Sequence, residues 1–282
     1  MTAEVRREGA GGASSSARSL LFTVLGECLR DPGREFWTST LVLALHELGI
    51  EEAAARRAVG RTASRDWMES VRVGRRIKWR LTPRAVDYFA ETAHEVLDVR
   101  RRDQSWDGRW LVVLTSVPET QRDLRHQLRT ALRGLGLGPI EQGAWVTPNT
   151  SADKRVRAAL ERFGLTANAV SFVGELGSIG SEFQIVQEAW DLVELARGYG
   201  DFLTTFGEVA PSTPAEVFSQ HIRLAHSWRS FFLSDPGLPS ELLPGRWIGR
   251  QARTLFYDRH DAWLPGAQEW IDALDEAGDA AR

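Results

Sequence analysis

Apolar residues recur at helical spacing near the N-terminus of the chain, where Leu41, Leu45 and Leu48 lie on one face of a predicted helix. Gly49 suits the left-handed residue that ends such a helix. A second helix is predicted after a short turn, with small residues on one side and arginines on the other. The residues predicted to face inward are Ala55, Ala58, Val59 and Thr62. This order predicts a helix-turn-helix.

The next stretch alternates apolar and polar residues at strand spacing. Residues 67–73 and 77–81 are predicted to be two strands around Gly74-Arg75-Arg76. Thr82-Pro83 then supplies a capping residue and a proline at the first position of another helix, which is predicted to run to about Leu97. Two helices followed by a hairpin and a third helix predict a winged helix-turn-helix over residues 17–99.

Positive charge is concentrated in this predicted domain. The segment from Gly49 to Arg84 contains ten basic and four acidic residues, which gives it a local net charge of +6 in a chain whose net charge is -3. Arginine binds phosphate oxygens and also guanine edges in the major groove, so the pattern favours double-stranded DNA as the partner. An interaction module for an acidic protein has a similar pattern. The candidate DNA-binding residues are Arg56, Arg57, Arg61, Arg65, Arg72, Arg75, Arg76 and Lys78.

The middle of the chain changes to strands separated by helices. Residues 110–115, 140–147 and 169–173 are predicted to be strands, with helices between them, which indicates a ferredoxin-like α+β domain over residues 100–180. Its open face or edge is a candidate surface for dimerisation. From Phe183 onward the spacing is helical, so an all-helical domain is predicted over residues 181–282. The fold class is therefore multidomain α+β.

Composition excludes several other classes. Cys28 is the only cysteine and has the spacing of a buried residue, so disulfides and cysteine metal sites are excluded and a reducing compartment, the cytoplasm, is expected. No apolar stretch reaches the ~20 residues that span a bilayer, so no membrane partner is predicted. Residues 1–16 lack the apolar segment of a signal peptide and are predicted to be a disordered tail.

Enzymatic motifs are absent from the sequence. The six histidines show no metal-binding spacing, and no Gly-x-Ser-x-Gly elbow occurs, so the sequence predicts no metal, no cofactor and no catalytic residue. A metal-dependent nucleic-acid hydrolase built on the middle domain remains an alternative. Related small domains in CRISPR spacer-acquisition nucleases carry an acidic ligand at the end of the first strand, where this chain has Ser116-Val117-Pro118. A protein-interaction adaptor is the second alternative.

Several short motifs occur in one order and resemble the PaaX-like regulators, a family of repressors of phenylacetate catabolism, from about Ala17 to Ala273. The motifs include Gly74-Arg75-Arg76, Trp106-Asp107-Gly108-Arg109-Trp110, Gly143-Ala144-Trp145-Val146-Thr147-Pro148, His226-Ser227-Trp228-Arg229 and Leu242-Leu243-Pro244. Three positions depart from the family's pattern: Gly60 and Thr62 stand where a bulkier residue and a leucine are expected, and Asp66 stands where glycine is usual.

The resemblance implies a homodimeric, cytoplasmic transcriptional repressor without enzymatic activity. It implies further that an aryl-acetyl-coenzyme A thioester releases the repressor from its operator by binding outside the DNA-binding domain. The family's pattern nominates Trp145, His226, Trp228 and Arg229 for the effector pocket or its supports. Tryptophans at helical spacing are also typical of core packing, and that alternative stays open.

Overall fold

The computed structural model describes residues 16–98, 105–118 and 120–280 of the chain. Except for Ser16, the tail predicted over residues 1–16 lies outside these residues, as does the connector Arg100-Arg101-Arg102. The described residues divide into two compact units. The central unit contains the described residues of 105–201 and 230–251, and the terminal unit contains residues 16–98, 202–229 and 252–280.

The N-terminal part of the terminal unit has four helices and a three-stranded antiparallel sheet. The sheet order is β1-β3-β2. The elements are α1 (Ala17–Cys28), β1 (Glu35–Trp37), α2 (Thr38–Glu47), α3 (Glu52–Ala63), β2 (Met68–Val73), β3 (Arg76–Leu81) and α4 (Pro83–Asp98). The helices and hairpin predicted from the sequence are therefore present, with boundaries shifted by about one residue.

The faces of these helices follow from their apolar spacing. Leu41 and Leu45 of α2 are fully buried, and α3 buries the four small residues predicted to face inward while its arginines stay exposed. Both predictions of the buried face are thus confirmed. Cys28 at the end of α1 is also buried, as predicted, and this burial raises the pKa of its thiol far above the usual range.

The central unit contains a four-stranded antiparallel sheet of order β5-β6-β4-β7. The chain order is strand, helix, strand, strand, helix, strand, which is what the ferredoxin-like prediction requires. The elements are β4 (Arg109–Thr115), α5 (Arg122–Arg133), β5 (Gly138–Glu141), β6 (Ala144–Thr147), α6 (Asp153–Arg162) and β7 (Ala169–Glu175), with 3-10 turns at Thr150–Ala152 and Thr166–Asn168.

The single strand predicted over residues 140–147 is wrong, because the chain turns back at Gly143 and forms the hairpin β5-β6. Gly143 has a φ of 88°, and a Cβ atom built there would lie 2.6 Å from the carbonyl oxygen of Thr115. The backbone of Thr115 also donates a hydrogen bond to the Gly143 carbonyl at 2.8 Å. Only glycine fits this turn, which a count of apolar residues does not reveal.

The two faces of the central sheet pack against different helices. Leu111 and Val113 of β4 belong to a core with Leu128 and Leu132 of α5. The opposite face carries Trp110, which packs with residues of α7 (Glu182–Ala189) and with Leu238. Residues beyond 181 therefore complete the core of the central unit.

The remaining helices are α8 (Leu192–Phe206), α9 (Pro214–Trp228), α10 (Phe231–Ser234) and α11 (Ile248–Ala280), with a 3-10 turn at Ser240–Leu242. C-terminal helices were predicted, and they are present. Their residues are shared between both compact units, so the boundary predicted at residues 180/181 does not coincide with the division into units. Among the described residues no helix is long and apolar enough to cross a membrane.

Asp66 is the one described non-glycine residue with a positive φ, at 60°. Its side chain is exposed, and its carbonyl oxygen accepts a hydrogen bond from the Thr82 hydroxyl at 2.9 Å. The left-handed backbone strains any residue that has a Cβ atom. We expect Asp66→Gly to raise the free energy of unfolding by about 0.5 to 1 kcal/mol in urea denaturation.

Asp66→Val is the matched control, because a β-branched side chain tolerates a left-handed backbone poorly. This variant should lower the free energy of unfolding by about 1 kcal/mol or more, which is the order of the penalty for a left-handed residue. Equal stabilities of the two variants would contradict this explanation.

Candidate nucleic-acid interface

Helix α3 presents a cationic surface. Arg56, Arg57 and Arg61 are exposed on the side opposite its buried residues. Arg56 forms an ion pair with Glu52, one turn earlier, at 2.8 Å. Among the described residues the side chains of Arg57 and Arg61 make no hydrogen bond or ion pair. Two guanidinium groups on this helix are thus available to an external anion.

The hairpin β2-β3 carries the other predicted cations, and they fall into two groups. Arg72 and Arg75 are exposed at its tip, where the Nε atom of Arg72 donates to the Gly74 carbonyl at 3.4 Å. Arg65, just after α3, is exposed as well. By contrast, Arg76 and Lys78 are half-buried and contact the indole ring of Trp37. Only the first group faces solvent.

The end of α11 explains this difference. Asp272, Asp275 and Asp279 are three and four residues apart and so lie along one face of the helix; we call them the acidic ridge. Asp279 forms an ion pair with Lys78 at 3.1 Å, and the carbonyl oxygen of Gly278 accepts a hydrogen bond from Arg76 at 2.6 Å. Two predicted DNA-binding residues are therefore held by contacts within the chain.

The acidic ridge also caps helix α2. Trp37 precedes this helix and has no side-chain capping group of its own. One carboxylate oxygen of Asp275 accepts hydrogen bonds from the Trp37 backbone at 2.8 Å and from the Thr40 hydroxyl at 2.6 Å. Asp279 accepts another from the Trp37 indole at 2.9 Å, and Asp272 pairs with Arg34. A carboxylate from a distant helix thus supplies the negative charge that helix N-termini favour.

The residues nominated for an effector pocket lie in different surroundings. Trp145 of β6 is buried in the core between the central sheet and its helices. Trp228 is 3% exposed and stacks on Phe256, with ring centroids 4.5 Å apart. Both tryptophans therefore pack in cores, and for Trp228, which lies on a helix, this agrees with the core-packing alternative. Trp145 belongs to the central unit, whereas His226, Trp228 and Arg229 belong to the terminal unit.

His226 and Arg229 at the end of α9 are only half-buried. Nδ1 of His226 lies 3.1 Å from the Thr23 hydroxyl oxygen of α1. Burial, together with the nearby charge of Arg229, lowers the pKa of His226 to about 4, so this imidazole is neutral near neutral pH. The effector pocket itself stays a prediction.

Sequence spacing did not reveal a second cluster, which joins Glu27 of α1, His221 of α9 and His260 of α11. Each histidine has its Nε2 atom near Oε2 of Glu27, at 3.2 Å for His221 and 3.0 Å for His260. Burial raises the pKa of Glu27, but the two histidines lower it further, so the net pKa lies well below the usual range. The three residues are far apart in sequence, so no local motif identifies them.

The end of β4 lacks the acidic residue that the hydrolase alternative requires. Ser116 follows the strand and lines a shallow depression together with Gln142 and Asn168. None of the residues that line this depression carries a carboxylate. Ser and amide groups alone make a poor site for the divalent ions that assist phosphodiester hydrolysis.

Strand β7 forms an exposed edge of the central sheet. It pairs only with β4 within the sheet, and its residues from Val170 onward are exposed. Val170 and Phe172 are 54% and 60% exposed, and Leu114 of β4, directly opposite Val170, is 41% exposed. These three residues, called the β7 patch, form an apolar surface next to unpaired backbone groups.

The α-β-α-α-β-β succession, the central antiparallel sheet and the later helices define a multidomain α+β protein. Three family models match consecutive parts of the chain. They are the PaaX-like protein over residues 16–85, the PaaX protein central Cas2-like domain over 103–186 and the PaaX-like protein C-terminal domain over 190–273. The chain belongs to the PaaX-like protein family.

Individual relatives agree with this assignment. The transcriptional repressor PaaX of Escherichia coli is 28% identical over 275 residues, which cover 93% of this chain and 84% of the relative. Among solved structures, the uncharacterized protein Rv0674 from Mycobacterium tuberculosis matches with a TM-score of 0.62 and 22% identity. The match covers 92% of this chain and all of that one, so the two share a fold.

The acidic ridge leads to a stability prediction. Asp275→Ala removes the acceptor of two hydrogen bonds at the start of α2. Because hydrogen bonds to a charged group contribute more than neutral ones, we expect the free energy of unfolding to fall by about 2 to 3 kcal/mol in urea denaturation. Exposed Glu276, the next residue, provides the control: Glu276→Ala should change it by less than about 0.5 kcal/mol. Similar losses in both variants would show that the cap contributes nothing specific.

Proposed function

We propose that this protein is a homodimeric, DNA-binding transcriptional repressor of an operon for phenylacetate-type aromatic acid catabolism. The observation that carries the proposal is the exposed pair Arg57 and Arg61 on α3, in a chain of the PaaX-like family. The repressor name of the E. coli relative supports the regulatory role. Such a protein works in the cytoplasm and catalyses no reaction.

Residues 17–98 form a winged helix-turn-helix in this proposal. Helix α3 follows α2 after a turn of a few residues and enters the major groove, with Arg56, Arg57 and Arg61 near base edges or phosphates. The hairpin β2-β3 is the wing, and Arg65, Arg72 and Arg75 contact the flanking phosphates. This assignment is supported by the exposure of all six side chains.

Arg76 and Lys78 contribute to DNA binding only after leaving the acidic ridge. Their cationic groups are held by Gly278, Asp279 and the Trp37 ring, so phosphates must compete with those contacts. Competition of this kind lowers the affinity of the ridge-bound form for DNA. A ligand that strengthens the ridge contacts therefore favours release from the operator.

A thioester of coenzyme A with an aryl-acetyl group is the proposed effector. Support comes from the family's pattern, which nominates Trp145, His226, Trp228 and Arg229 for the site or its supports. Arg229 is the strongest of these candidates, because its half-buried guanidinium makes no hydrogen bond or ion pair among the described residues. The effector must bind the DNA-free form more tightly, since equal affinities shift no equilibrium.

The DNA-binding surface is tested with Arg57→Ala combined with Arg61→Ala. A fluorescence-anisotropy titration against the protein's own promoter region should show at least about a 10-fold loss of affinity. The dependence of affinity on salt should also become less steep, by roughly one unit of slope for each phosphate contact removed. Exposed Arg129 of α5 provides the control, and Arg129→Ala should bind DNA like the wild type.

Unchanged affinity of the double variant would overturn the assignment of α3 as the recognition helix. In the same assay phenylacetyl-CoA should release the wild-type protein from the promoter, whereas free coenzyme A should not. Release by both compounds, or by neither, would contradict the proposed effector class.

The β7 patch is proposed as the dimer interface, because an exposed apolar edge strand pairs readily with a second copy. Phe172→Glu places a charge in this patch without disturbing a buried contact. We expect sedimentation velocity to show a shift from dimer to monomer. The variant should also bind a palindromic site more weakly, where the two half-sites lie about 34 to 36 Å apart so that each occupies the next major groove.

Ile179→Glu is the control for the dimer, since Ile179 is an apolar residue of the central unit that is 89% exposed. This variant should remain dimeric. If Phe172→Glu also remained dimeric, another surface would form the interface.

A further inference from the structure

Three helices of the terminal unit bring metal-binding side chains to one point. Glu27 of α1, His221 of α9 and His260 of α11 each offer one ligand atom, and these atoms lie within 4.8 Å of one another. The same oxygen of Glu27, Oε2, faces both histidines. Two imidazoles converging on one carboxylate oxygen form a donor set of two nitrogens and one oxygen.

Two of the three separations between the ligand atoms are close to those of a tetrahedral ion, and the third, between the histidine nitrogens, is within 4.8 Å. Bonds of about 2.0 to 2.1 Å from zinc to nitrogen and oxygen place neighbouring ligand atoms about 3.3 Å apart. The observed separations from Glu27 Oε2 are 3.2 Å to His221 and 3.0 Å to His260. Small side-chain rotations would therefore bring the three atoms into one coordination sphere.

The nitrogen that His221 directs at Glu27 belongs to a fully buried side chain. Its other ring nitrogen, Nδ1, has no hydrogen-bond partner among the described residues, so Nε2 carries the only polar contact of the ring there. Replacing that hydrogen bond by a metal–nitrogen bond couples ion binding to the stability of the fold.

The cluster is also accessible. The side chains of Glu27 and His260 are 23% and 20% exposed, so an ion can enter from their side. The backbone carbonyl of Glu27 accepts a hydrogen bond from Gln268 of α11 at 3.3 Å, which fixes α1 next to the helix that carries His260. The helices that carry two of the ligands are thus adjacent before any ion arrives, and only the side chains need to rotate.

We propose that Glu27, His221 and His260 bind a divalent first-row transition ion, with zinc as the ion that best suits this donor set. Three protein ligands leave the fourth tetrahedral position to water or to a small ligand. The ion links α1, α9 and α11 and so stabilises the terminal unit. This site is independent of the DNA-binding surface, so either proposal can fail without the other.

The test uses the full chain, stripped with a chelator and then dialysed with zinc sulfate. Elemental analysis by mass spectrometry should find one zinc ion per chain in the wild type and little in Glu27→Gln or His260→Gln. His126→Gln, which removes an exposed histidine of the central unit, should retain the ion and controls for binding to surface histidines. Circular dichroism establishes that each variant is folded.

A second readout does not depend on stoichiometry. Zinc should raise the Tm of the wild type and of His126→Gln but leave that of Glu27→Gln unchanged, and cobalt should give the visible absorption of a tetrahedral site only where Glu27 and His260 are intact. The proposal is overturned if the wild type retains no ion, or if folded Glu27→Gln and His260→Gln bind zinc as the wild type does.

Discussion

The contact between the acidic ridge and the start of α2 determines how the terminal unit presents its charges. Helix α2 begins at a tryptophan that cannot cap it, so the first turn depends on Asp275, more than two hundred residues later in the chain. The same ridge fixes the Trp37 indole through Asp279. This ring is the surface on which Arg76 and Lys78 pack, so one set of carboxylates orders both the helix and the hairpin.

This arrangement divides the arginine-rich segment by environment. Arg57 and Arg61 project from a helix into solvent, whereas Arg76 donates a hydrogen bond to the Gly278 carbonyl and places its guanidinium over the Trp37 ring. Exposed cations keep their capacity to bind phosphate, while cations already paired must lose one partner to gain another. The net charge of residues 49–84 therefore overstates the positive charge that can bind phosphate without first losing a contact within the chain.

Much of the local structure could be predicted from the sequence, because helix faces and strand alternation depend on neighbouring residues. The buried residues of α3 are an example, as is the hairpin from Met68 to Leu81. The turn at Gly143 was missed because its need for glycine comes from the Thr115 carbonyl on another strand. Periodicity contains no information on such a close approach.

The candidate sites were harder to predict, for the same reason. Exposed arginines on a helix can be inferred from spacing, but the acidic ridge contacts Trp37 from 238 residues later in the chain, and His221 contacts Glu27 from 194 residues later. Conversely, Trp145 and Trp228 match a family motif, yet each packs in a core. A motif identifies which residues belong together in a family without saying whether they contact a ligand.

Helix α11 connects the two features that the sequence did not reveal. His260 and Asp272 are twelve residues apart, about 18 Å along the helix axis, so one helix holds α1 at the Glu27 cluster and α2 at the acidic ridge. Both attachments involve charged groups, whose hydrogen bonds are stronger than those between neutral groups. In the proposed function, the cations of β3 exchange the ridge for DNA phosphates, so the free energy of the ridge contacts is subtracted from that of DNA binding. In the proposed function, the contacts made by α11 therefore lower the affinity of the DNA-binding surface, and an effector that alters those contacts acts as an inducer.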